Sequence, residues 1–246
     1  MASPVVDPAE FVPLPDAGRR VVRSRRVRLS DVTVSGRVRL DALARYLQDV
    51  AADDVDDTGL PGAWVLRRLV VALGDAPQFR DEVQLTTFCS GIGSRFAERR
   101  TTLVVGERVA VEAVALWVYV DDTGRPTPLQ DWFFDSYGVA AGGRRGTSRL
   151  RHPRPDPACE RRRWPLRVTD VDVLDHVNNA SSWEAVEDEL ARRAPARPIA
   201  RAEMEYRAAV DLGEEVELCT APRADPLWCW LTCGDEVRTS ALVAYA

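Results

Sequence analysis

Lysine is absent from this sequence of 246 residues; its 33 strong bases are all arginine. A GC-rich coding bias explains that better than a functional demand for guanidinium. Histidine is nearly absent too, with only His152 and His176. The five cysteines (Cys89, Cys159, Cys219, Cys229 and Cys233) are odd in number and show no tight paired spacing, which fits a reducing compartment. Cys229 and Cys233 fall in an apparent strand about 13 Å apart, too far to share one metal, so both read as structural. No segment approaches twenty uninterrupted apolar residues, so no membrane span is expected. The N-terminus has neither a basic start nor an apolar core, which excludes a secretory signal and points to the cytoplasm. A net charge of -5 argues against general nucleic-acid binding.

What is present suffices for one large domain or two small ones with real cores. After a loose first stretch, 1–20, the basic β-branched run from Val21 to Arg28 predicts a strand. Leu43, Tyr46, Leu47 and Val50 then form one buried stripe of a helix from about Leu40 to Asp53. The acids Asp53, Asp54, Asp56 and Asp57 end that helix in a solvated turn, and Gly59 with Pro61-Gly62 makes the loop. A Ca²⁺ loop would need a glycine and glutamate spacing that is missing. Strands follow over 64–73, 82–89, 95–105 and 109–120, with turns at Asp75-Ala-Pro and Gly106-Glu.

The second half repeats that order. Ser30-Asp31-Val32-Thr33-Val34 resembles Thr169-Asp170-Val171-Asp172-Val173, and Asp81–Leu85 matches Glu214–Leu218. Leu103–Val109 matches Leu231–Val237, after which Trp117 and Tyr245 fall in register. Three ordered blocks indicate a duplicated unit. The expected division is 21–134 and 164–246, joined by a crossover, 135–163, of turn and linker composition. This crossover is also the most basic part of the chain. Its Arg144, Arg145, Arg149 and Arg151 are candidates for receiving an acidic partner, against the plainer reading of a solvated loop.

One run concentrates chemistry: Thr169-Asp170-Val171-Asp172-Val173-Leu174-Asp175-His176-Val177-Asn178-Asn179. In an extended segment Asp170, Asp172 and Leu174 share a face. The residues from Ala180 to Ala191 favour a helix, and Asn is a good N-cap, so that helix is expected to start at Asn178 or Asn179. Asp170 and Asp175 read as turn and cap formers. Asp172 and His176 would sit just before a helix N-terminus, whose free N–H groups and dipole favour negative charge. That suits an ester or thioester carbonyl becoming an oxyanion.

A helix laid on an antiparallel sheet, duplicated in one chain, resembles the α+β double hot-dog fold. The run Asp172–Asn179 is similar to the Asp-x-Asn-x-His-Val-Asn-Asn motif of plant-type and bacterial acyl-ACP thioesterases. Leu43–Ala51, Ala63–Leu69, Gly93–Arg100 and Met204–Arg207 resemble other blocks of that family, and the likeness runs from about Arg25 to the end. The resemblance implies hydrolysis of fatty acyl-ACP in lipid metabolism, in the cytosol and without metal or organic cofactor. The motif Asp falls on Asp172 and the motif His on His176, with Asn178 and Asn179 at the helix start. The motif Asn between them falls on Leu174, however, and the family's later Glu and Cys fall on Ala209 and Val210. Thr33 and Arg37 stand where the first repeat would need Asp and His, so chemistry is expected in the second half and an acyl pocket in the first. An acyl-CoA thioesterase and a binder of acyl-ACP or acyl-CoA that has lost turnover are the alternatives, with a hot-dog dehydratase behind them. Either a monomer or a homodimer fits.

Overall fold

The computed structural model describes residues 11–59, 62–193 and 197–246. The first ten residues, Leu60 and Pro61 therefore lie outside the described residues. The chain runs β1 (Val21–Arg26), α1 (Leu40–Thr58), β2 (Ala63–Leu73), β3 (Glu82–Ile92), β4 (Phe96–Val105) and β5 (Arg108–Val120). After α2 (Asp131–Ala141) come β6 (Glu160–Trp164), α3 (Ser182–Arg193), β7 (Ile199–Tyr206), β8 (Val216–Ala224), β9 (Leu227–Cys233) and β10 (Glu236–Tyr245). All strands join one ten-stranded antiparallel sheet in the order β1-β3-β4-β5-β2-β7-β10-β9-β8-β6. The second five strands repeat the first five, reversed about the central β2–β7 pair. This is the double hot-dog arrangement.

Alternation along the strands decides what each face carries. In β7, Ala202, Met204 and Tyr206 join the core shared with α1 and α3, including Leu43, Leu47, Trp183 and Val186. Arg201, Glu203 and Glu205 point to the other face. There they meet the crossover: the backbone N–H groups of Arg151 and His152 donate to Glu205, and Trp230 Nε1 donates to the Pro153 carbonyl at 2.9 Å.

Three expectations need correction. Helix α1 does not stop at Asp53 but continues to Thr58, where Gly59 closes it in a left-handed conformation. Of its acids, Asp54 is buried rather than solvated, and Asp53 and Asp57 are paired at the surface. Asp53 and Asp57 pair with Arg23 at 2.9 and 2.7 Å, and the buried Asp54 takes Arg19 and Arg99 at 2.6 Å each. Arg19 and Phe11, whose ring lies under the Arg100 guanidinium, also show that 11–20 packs on the body. Finally, the first part of the supposed linker is helical. Phe133, Tyr137, Ala140 and Ala141 are the buried residues of α2, a helical spacing that Gly142 ends in a left-handed turn.

Candidate functional site

The sequence run around His176 folds as a tight hairpin between a single 3-10 turn, Val168–Asp170, and α3. The Asp172 N–H donates to the His176 carbonyl at 3.0 Å, and the Asp175 N–H donates to the Asp172 carbonyl at 3.0 Å. Asp175 has φ 63, a left-handed position that aspartate tolerates better than most residues. The first repeat builds the same hairpin. There the Thr33 N–H donates to Arg37, and Gly36 takes the left-handed place. The duplication seen in sequence is thus also one of backbone hydrogen bonds.

Side chains separate the two hairpins. Asp172 accepts from the Leu174 N–H at 2.9 Å and from Asn178 Nδ2 at 3.0 Å. The Asn178 Oδ1 in turn accepts the Ala180 N–H at 2.9 Å. Asn178 is therefore a bracket between Asp172 and the opening of the helix. Because that bracket is a turn, regular helix begins at Ser182 and not at Asn178 or Asn179. Nor is the run extended, as a shared face for Asp170, Asp172 and Leu174 would require; the chain reverses between Asp172 and His176. His176 Nδ1 lies 2.6 Å from Asp211 Oδ1. In the first repeat Arg37 turns inward to Glu187 on α3 at 2.8 Å, and Glu187 also accepts the Leu40 N–H that opens α1.

Asp211 was missed by sequence reasoning. Ala209, at the family's Glu position, is exposed, and the Val210 carbonyl accepts the Val177 N–H at 2.8 Å, tying this loop to the hairpin. That bond places the next residue, Asp211, against the imidazole. An acid just past the Glu205-Tyr206-Arg207 run was the available signal. Leu174 carries no polar group and is 70% exposed, so it fills no catalytic place.

The hairpin adjoins a narrow apolar crevice of about 10 Å³. Asn179, Ala180 and Tyr206 line it together with Ala44, Leu47 and Leu66. Tyr206 accepts Trp183 Nε1 at 2.8 Å and donates to the Asn179 carbonyl at 3.2 Å, which fixes the approach to α3. Gln48 and Trp117 line both this crevice and a larger chamber of about 280 Å³. The chamber lies between α1, the first-half sheet and α2, with Trp64, Trp132, Phe133 and Tyr137 in its wall. The aromatic residues of α2 were hidden within and beside a stretch read as linker. Cys89 also lines the chamber, but burial pushes its thiol up to about 12, so no thiolate nucleophile is available there.

The basic crossover is tied to the body at several points. Arg144 donates to the Ser90 and Ala140 carbonyls at 2.8 and 2.7 Å. Farther along, Thr147 and Arg151 are anchored through their backbone N–H groups to Glu98 and Glu205. Arg151 thus rides on a strap that crosses the sheet face carrying Glu203 and Glu205, opposite α1 and α3. Among the described residues, His152, Glu203 and Glu205 are close enough together to suggest a metal site. Their charge is already answered: Arg68 and Arg201 hold Glu203 at 2.6 and 3.0 Å, and Arg207 holds Glu205 at 2.8 Å. A dication there would face those guanidiniums.

Comparison with known proteins agrees with this architecture. An uncharacterized protein of Mycobacterium tuberculosis is 26% identical over 237 residues, 95% of each chain. The 12:0-ACP thioesterase of Umbellularia californica superposes with a TM-score of 0.78 at 17% identity, covering 92% of this chain and 97% of that one. An acyl-ACP thioesterase of Bacteroides thetaiotaomicron gives a TM-score of 0.74 at 18% identity, over 92% and 98% of the two chains. The acyl-ACP thioesterase N-terminal domain matches residues 19–137, and the C-terminal domain of that family matches residues 154–239. With both domains matched in order along one hairpin-and-chamber architecture, the chain belongs to the acyl-ACP thioesterase family.

Proposed function

We propose that this chain hydrolyses fatty acyl-ACP to free fatty acid and holo-ACP, as a cytoplasmic enzyme of lipid metabolism. The observation that carries the reading is that Asn179, next to the Asn178 bracket on Asp172, lines a crevice that shares Gln48 and Trp117 with the chamber. The acyl chain lies in the chamber beside α1, held by apolar burial, with its thioester toward Asn179. Water attacks the carbonyl carbon, His176 Nε2 takes the proton, and the carbonyl oxygen becomes an oxyanion near the N-terminus of α3. Collapse breaks the C–S bond and returns the proton to the departing thiolate. Asp211 holds the His176 tautomer through Nδ1. Asp172, fixed by Asn178, orients the water.

The test is thiol release from one acyl group presented on ACP and on CoA, by the wild type and by Asp172→Ala and His176→Ala. Turnover on ACP that both substitutions depress supports the reading; equal rates in all three proteins sink it. Preference for the CoA ester would move the assignment to an acyl-CoA thioesterase. One observation favours a binder without turnover, namely that Leu174 and Ala209 bring no polar atom to the site. Tight acyl binding with no thiol release would establish that alternative.

A further inference from the structure

We propose that Arg67, with Arg207 beside it, forms an anion site for the phosphate of the pantetheine arm that carries the acyl thioester. The proposal deepens the thioesterase reading and rests on it for the identity of the arm. The site begins at a break in the sheet. Leu66 pairs with Trp117 and Arg68 with Leu116, so Arg67 is the extra residue of a β-bulge in β2. Bulges re-aim a side chain and recur beside functional sites. On its other side β2 pairs with β7 only as far as Arg68 opposite Glu205, so Arg67 and Arg207 stand past the last rung of that ladder. Arg67 Nη1 donates to the Arg207 carbonyl at 3.1 Å, which ties the two strand ends together. The residues just before these two arginines, Leu66 and Tyr206, both line the crevice that Asn179 lines.

The two charges are not answered equally. Arg207 is paired with Glu205 at 2.8 Å and also donates to the His152 carbonyl. Both Glu205 oxygens are then engaged, because the backbone N–H groups of Arg151 and His152 donate to them as well. Arg67 makes no ion pair with a carboxylate among the described residues. It is half-buried, keeps part of its surface in solvent, and none of its nitrogens is both enclosed and unpaired. Burial and the Arg207 charge push its pKa below the ordinary arginine value, with Glu205 opposing them. An arginine keeps its proton even so, and an anion brought to it would relieve the repulsion. Its planar fork matches a phosphate. The imidazole is within reach. Arg207 and Asp211 are four positions apart, which limits the distance between their backbones to about 14 Å, and Asp211 meets His176. A pantetheine chain, with two amide links between its sulfur and its phosphate, covers that span.

The experiment measures kcat/KM by thiol release on S-dodecanoyl-phosphopantetheine and S-dodecanoyl-pantetheine, which differ only in the phosphate. It uses the full-length chain, Arg67→Met, Arg67→Lys and a control, Arg223→Met, which removes an exposed charge on β8. In parallel, the S-dodecyl thioethers of both arms, which cannot be cleaved, are titrated by calorimetry. A hydrogen bond to a charged group contributes about tenfold or more in affinity. The wild type and Arg223→Met are therefore expected to favour the phosphorylated arm by that factor. Arg67→Met is expected to remove most of the preference, and Arg67→Lys to fall between, since an ammonium keeps the charge and loses the fork. Each protein is compared with itself, so a general loss of activity leaves the ratio readable. Dodecanoyl-ACP and dodecanoyl-CoA, which both carry this phosphate, separate its sources. Arg67→Met is expected to lower kcat/KM on both, and a loss on one alone assigns the site to that carrier. If thioester is cleaved but the wild type treats the two arms alike, or Arg67→Met keeps the preference, the proposal is wrong and the hydrolase reading stands. If no thioester is cleaved but the phosphorylated thioether binds better to wild type than to Arg67→Met, the proposal stands and the hydrolase reading falls.

Discussion

His176 meets Asp211 at 2.6 Å on an open surface, with the two side chains 51% and 62% exposed. Asp172 is held by Asn178 at 3.0 Å. Proton transfer by a positioned base contributes about 10²–10⁴-fold to rate, so His176→Ala is expected to lower kcat on acyl-ACP within that range. Asp211 acts through the imidazole, so Asp211→Asn should fall less far and shift the pH profile, while Asp211→Glu restores part of both. Steady-state thiol release across pH checks this; an unchanged profile in Asp211→Asn would remove Asp211 from the mechanism. On the opposite sheet face, Glu203 sets a different pH dependence. Burial alone would raise its carboxyl, but the His152 contact and Arg68 outweigh that and hold it well below the usual carboxylate range. The stability this contributes is complete above the ordinary Glu value of 4.5 and is lost as pH falls below it. Urea midpoints measured from neutral to acid pH should decline more steeply in the wild type than in Glu203→Gln.

Two helices open on contacts supplied by distant elements. The N-terminal residue of α1, Leu40, gives its N–H to Glu187 at 2.7 Å, a carboxylate borrowed from α3 and also paired with Arg37. Removing it strands a half-buried guanidinium and an uncapped helix, so Glu187→Ala is expected to cost about 3–5 kcal/mol by chemical denaturation. The turn before α3 depends on the Tyr206 hydroxyl, which links Trp183 Nε1 to the Asn179 carbonyl. Tyr206→Phe leaves a buried indole N–H without an acceptor, an expected loss of about 1–3 kcal/mol. It should also lower kcat, since it loosens Asn179 beside the Asn178 bracket. A loss of stability with full kcat would separate that turn from the chemistry.

Across the whole molecule, the two repeats are joined where β2 pairs with β7, from Arg68 opposite Glu205 to Ala72 opposite Arg201. Leu69, Val71, Ala202 and Met204 at this seam are all buried in the common core. A half separated from its partner would expose a long apolar edge strand, which invites association with other edges. Halves divided within the crossover are therefore expected to aggregate when produced alone and to form a soluble complex when produced together, as read by size-exclusion chromatography. Soluble, folded single halves would show that the seam matters less than its burial implies. The duplication that predicts this was legible in the ordered blocks around Asp31 and Asp170, because each repeat needs the same turn chemistry at the same place. The length of α1 was not legible, since Asp53, Asp54 and Asp57 look like a solvated turn until Arg19, Arg23 and Arg99 are brought beside them.

Local rules acting between near neighbours settled much of this protein from its sequence alone. The strands, the core stripe of α1 and the place of Asp172, His176 and Asn178 on one short run all follow from alternation, turn residues and capping. Tertiary structure decided the rest, because it depends on residues far apart in the chain. Asp211 reaches His176 only through the Val177–Val210 bond, and α2 closes a chamber only once it lies against α1 and the sheet. Glu187 caps a helix that begins in the other repeat. Pairings of that kind are set by how the two halves dock, and no spacing within either half encodes them.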